Sequence, residues 1–117
     1  MYPFKIKIHV NTMASSMKRA LYKEIRKVKR WGRSGHFIEA LRHRDIIIPT
    51  ERLPELIKEG ELIEFHTNKG SRRVLIRHMP TGICMTLNLD SHDVLTGWYN
   101  EPEDTHQNLD KDEYLFL

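Results

Sequence analysis

Residues 61–99 read ELIEFHTNKGSRRVLIRHMPTGICMTLNLDSHDVLTGWY, and their apolar side chains recur with a period of two, the spacing of β-strands. Turn-forming residues divide the segment at Asn68-Lys69-Gly70, Pro80-Thr81-Gly82 and Asp90-Ser91-His92-Asp93. Four strands are predicted between them, over 62–67, 72–79, 83–89 and 94–99, and turns this short join neighbours antiparallel. Side chains at i and i+2 share a face. Ile63, Phe65, Val74, Ile76, Ile83, Met85, Leu87 and Leu89 are therefore expected to face a helix layer, joined by Leu95. The other face keeps Glu64, His66, Arg73, Arg77, Thr86, Asn88, Thr96 and Trp98 and should be polar and open. Arg72 points away from Arg73 and Arg77.

Upstream of Gly60 the period becomes helical. Met13, Met17, Ala20, Leu21, Ile25, Val28 and Trp31 fall three or four apart, one side of a helix that ends at Gly32 and takes Asn11 or Thr12 as its cap. A second helix is predicted over 36–44, with Phe37, Ala40 and Leu41 buried. A short third one carries Leu53, Leu56 and Ile57 and stops at Gly60. Phe4, Ile6, Ile8 and Val10 alternate with Lys5, Lys7 and His9, which predicts an N-terminal strand. The expected fold is α+β: that strand and two or three helices packed on one face of a four-stranded antiparallel sheet. Its parts are a basic strand-helix segment (1–33), a core (34–100) and an acidic tail (101–117).

At 117 residues, 39% hydrophobic and 30% charged, the chain has the composition of one ordinary globular domain. It shows no long apolar run, so neither a membrane span nor a membrane partner is expected. The lone Cys84 forms no internal disulfide, and a reducing, cytoplasmic setting is predicted. The net charge of +3 conceals an asymmetry. Residues 1–44 hold 12 Lys and Arg against Glu24 and Glu39, while 101–117 hold Lys111 against six acids. Lys18, Arg19, Lys23, Arg26, Lys27, Lys29 and Arg30 crowd the polar side of the first helix, where like charges repel. A compensating polyanion, most often nucleic acid, suits such a field, although a merely solvated face is the plainer reading. The acidic tail is expected to fold back on this helix.

On the open sheet face, Arg73 and Arg77 are placed to grip one phosphate or two successive ones, and Trp98 offers a surface on which an unpaired base stacks. Exposed strand arginines more often pair with neighbours such as Glu64, and a strand tryptophan is more often core. No two histidines stand at the i, i+4 spacing of a helical zinc site, and no nucleophile elbow or phosphate loop occurs, so no metal and no cofactor are expected.

The segment HFIEALRHRDIIIPTERLPELIKEGELIEF (36–65) resembles small domains that open with His-Ala-x-x-Arg-x-x-x-Arg-Gly-Ile, and these in turn resemble the barnase, EndoU, colicin and RelE-like ribonuclease toxins. His36 matches the leading histidine, Arg44 the second arginine and Ile46 the isoleucine, while Thr96 and Tyr99 match a closing threonine and aromatic residue. Ala40 replaces the first arginine, and Phe37 and Asp45 replace small residues. The resemblance implies a possible endoribonuclease in which the RNA 2′-hydroxyl attacks the phosphate to give a cyclic phosphate. It assigns His36 to acid and base steps, Arg44, Arg73 and Arg77 to the phosphate, and Thr96 to orienting the phosphate or His36. Tyr99 or Trp98 would stack on a base or supply a proton. Lys18, Arg19, Lys23, Arg26, Lys27, Arg30 and Arg42 would follow the RNA, with Arg42 or Arg73 replacing the arginine missing at 40. The implied partners are RNA, such as tRNA or mRNA, and an antitoxin or immunity protein. The alternative is a non-catalytic RNA- or protein-binding module, of phage or mobile-element type, on the same scaffold. A third is an assembly protein whose copies meet through Trp98, Tyr99 and the tail.

Overall fold

The computed structural model describes residues 6–99; Phe4, Lys5 and the acidic 101–117 lie outside the described residues. In chain order these form β1 (Lys7–His9), α1 (Ser15–Lys27), β2 (Gly32–Arg33), α2 (Gly35–His43), α3 (Leu53–Lys58), β3 (Glu61–Asn68), β4 (Ser71–His78), β5 (Ile83–Asn88) and β6 (Asp93–Tyr99). The fold is α+β. The four predicted strands exist and run antiparallel, but they are the centre of a wider, mixed sheet ordered β1-β3-β4-β5-β6-β2. β1 adds an antiparallel edge beside β3, and β2 adds a parallel one beside β6. Two residues carry no readable period, which hid β2 from the pattern.

All three helices bury their apolar stripes against one face of the sheet. Leu21 and Ile25 of α1, Phe37 and Leu41 of α2, and Leu53, Leu56 and Ile57 of α3 share a core with Leu62, Phe65, Val74, Ile76, Met85, Leu87 and Val94. α1 starts later than expected. Val10–Thr12 form a 3-10 turn whose Asn11 N–H donates to His9 Nδ1 at 3.1 Å, and Ala14 precedes the helix without a side-chain cap. Ala20, predicted in the stripe, is exposed.

α2 is held at both ends. The Ser34 hydroxyl accepts from Phe37 N–H at 3.0 Å and donates to the Leu95 carbonyl at 3.0 Å, so one cap also pins the helix to β6. At the other end Asp45 takes φ 53°, with Ile46 N–H donating to Leu41 O and Asp45 N–H to Arg42 O, the pairing of a Schellman stop. Position 45, where the resembling domains have glycine, is thus one where a Cβ is costly. Gly97 lies beneath α2: a Cβ there would stand 2.9 Å from the Phe37 ring and 3.3 Å from Leu41.

Two bulges revise the predicted faces. One lies between Leu62 and Glu64, so Leu62 takes the core position opposite Ile76 and Ile63 turns to the remote face. The other makes Val94, opposite Leu87, the core residue in place of Leu95, which is half-buried. The remote face is consequently not uniformly polar and open. It carries a buried cluster of Ile63, Leu75 and Cys84, with Trp98 packed against it. No helix among the described residues is long and apolar enough to cross a membrane.

Candidate nucleic-acid interface

The side of α1 opposite its buried Leu21 and Ile25 is basic. Arg19, Lys23 and Arg26 follow one another at steps of four and three, a stripe along the outer side of the helix, and with Tyr22 and Lys27 they line a shallow groove. Arg19, Lys23, Arg26, Lys27, Lys29 and Arg30 are exposed and Lys18 is half-buried; none forms an ion pair among the described residues. The Tyr22 hydroxyl accepts from Leu62 N–H at 2.8 Å, which seats α1 on β3, and the Arg26 guanidinium lies 5.4 Å from the Tyr22 ring centroid.

Glu24, the single acid of α1, is drawn inward. Arg72 reaches it with both terminal nitrogens, at 2.8 and 3.1 Å, while its Nε and backbone N–H each donate to Asp90 at 2.8 Å. The hydrogen bond to Glu24 is the main reason the Arg72 guanidinium is held more firmly protonated than usual. The backbone N–H of Arg72 is the largest cause holding the Asp90 carboxyl below its ordinary value; burial, next in size, opposes it, and the Arg72 side chain adds to the lowering. Parity had sent Arg72 toward the helices, but nothing in the linear pattern identified Glu24 and Asp90 as its partners.

The residues of the supposed catalytic pocket fall on two sides of the sheet. His36 is exposed on α2, where it shares a groove with Glu39, Ala40, His43 and Arg44. Arg44 Nη1 donates to Ala40 O at 3.3 Å, and Arg42 pairs with Glu39 at 3.5 Å. α2 packs on the core face through Phe37 and Leu41 over Gly97. Arg73, Arg77, Thr96 and Trp98 project from the remote face, in register with His66, Glu61, Thr86 and Cys84 respectively. Arg77 bonds Glu61 at 3.2 Å. Tyr99, half-exposed, lies opposite Ile83, the parity of Gly97 rather than of Trp98. The sheet thus separates His36, Arg44 and Tyr99 from Arg73, Arg77, Thr96 and Trp98.

The histidine directly across from Arg73 on the remote face is His66. Its Nδ1 lies 3.4 Å from Glu64. Strand parity alone places these three together, although His66 carries no motif. Among the described residues no three His, Cys, Asp or Glu side chains are grouped to hold a metal ion. No protein-family model, no curated protein and no solved structure matches this chain.

Proposed function

We propose that this protein is a non-catalytic RNA-binding module that docks the phosphate backbone on the outer face of α1. One observation carries the reading: the cations of that face have no acid partner among the described residues, because Glu24 is bound by Arg72 on the inner side. Neighbouring cations on a helix repel, and a row of phosphates relieves the repulsion while releasing its own counterions. RNA is chosen over other polyanions on the resemblance of 36–65 to ribonuclease-type domains. Support for cleavage by His36 is weaker, since Arg73, Arg77 and Thr96 lie across the sheet from it.

Fluorescence anisotropy with a single-stranded oligoribonucleotide tests this. Affinity should fall steeply as salt rises, and the variant Arg19→Gln/Lys23→Gln/Arg26→Gln should flatten the log–log slope by about 2. The RNA should be recovered intact from mixtures in EDTA. Affinity indifferent to salt and to the triple variant would refute the proposal, and cleavage lost in His36→Ala would restore the ribonuclease reading.

A further inference from the structure

The three arginines of β4, Arg72, Arg73 and Arg77, meet different fates. Arg72 is bound by Glu24 and Asp90, and Arg77 by Glu61, whereas Arg73 makes no ion pair among the described residues; its Nε donates to the Ser71 hydroxyl at 3.2 Å. Arg73 lies directly across from His66, and His66 directly across from Lys7 of β1, so three basic side chains form a row over three adjacent strands. Adjacent strands are about 4.8 Å apart, close enough for one small anion to touch two of these groups.

The imidazole is set for such a contact. Nδ1 is buried and turned toward Glu64, so the exposed part of the ring, whose side chain is 21% accessible, lies on the Nε2 side. We infer that the face of the sheet remote from the helices holds a phosphate-binding site, in which the Arg73 guanidinium and His66 Nε2 take the anion together. The planar guanidinium supplies paired donors and a permanent charge, and the imidazole adds a third donor when protonated. Without an anion the surroundings oppose that protonation: burial is the largest cause, Arg73 and Lys7 add to it, and Glu64 partly offsets them. A phosphate between Arg73 and His66 reverses the local field and draws a proton onto the ring. His9, next along β1, faces Glu64 rather than this pair. The site lies across the sheet from α1 and does not depend on the RNA reading of that helix.

The test is an NMR titration of the histidine side chains of the full chain, at constant ionic strength, in chloride, in inorganic phosphate, and with an oligoribonucleotide lacking terminal phosphates. The titration midpoint of His66 should move up by about one pH unit in phosphate while the other six histidines hold theirs. Arg73→Gln should abolish that movement and leave the other imidazole resonances in place. A response to phosphate alone identifies a free phosphate or monoester as the ligand, and a response to the oligonucleotide identifies a backbone phosphate. No movement of His66, or an equal movement of all the histidines, overturns the proposal.

Discussion

Arg72 and Arg73 are neighbours in the chain, yet the strand pleat turns one guanidinium into the helix layer and the other away from it. The first ties α1, β4 and the turn at Asp90 into one unit. Arg72→Met should therefore lower stability by about 1–2 kcal/mol in urea denaturation, a range discounted because Glu24 and Asp90 are partly exposed. His66 sets a different dependence. Its pKa is below the ordinary 6.5 in the folded chain, so unfolding takes up protons in mildly acid solution. The contribution is intact above about pH 6.5 and is lost as the pH falls through the lowered folded value. Urea midpoints should accordingly decline between pH 7 and pH 5, and His66→Gln should decline less steeply. A variant as pH-sensitive as the parent would show that another group governs the slope. The parity that separates Arg72 from Arg73 was readable in the sequence. The tie between Arg72 and Glu24 was not, because Glu24 is 48 residues from Arg72 and no local spacing connects them.

α2 shows how a short helix acquires a fixed seat. Its stripe of Phe37, Ala40 and Leu41 follows directly from apolar spacing, and its ends are set by Ser34 and by the left-handed Asp45. Where it sits is decided by Gly97, the one position of β6 where the Phe37 ring needs the space of a missing side chain. Gly97→Ala should destabilise by about 1–3 kcal/mol, measured by thermal or urea unfolding, because Phe37 is fully buried and has little room to retreat. A neutral result would mean that α2 shifts outward without cost. The bulges in β3 and β6 were not legible. One inserted residue reverses every face assignment on one side of it, and an apolar pair such as Leu62-Ile63 satisfies either parity.

Across the molecule, the sheet acts as a partition between the cations of α1 and the pair His66 and Arg73. Sites on opposite faces share no side chain, so their energetics should add: the Arg19/Lys23/Arg26 and Arg73→Gln changes, combined, should alter unfolding free energy by the sum of their separate effects to within about 0.5 kcal/mol. A larger discrepancy would reveal coupling through the sheet. Local chemistry was enough to specify the α+β class, the helix stripes, the turns and the basic face of α1, since hydrophobic period, turn propensity and charge are properties of neighbouring residues. The strand β2, the pairing of the N-terminal strand with β3, the bulged register, the inward capture of Glu24 and the separation of His36 from Arg73 required the folded chain, because each depends on contacts between residues distant in sequence whose pairing no short-range pattern encodes.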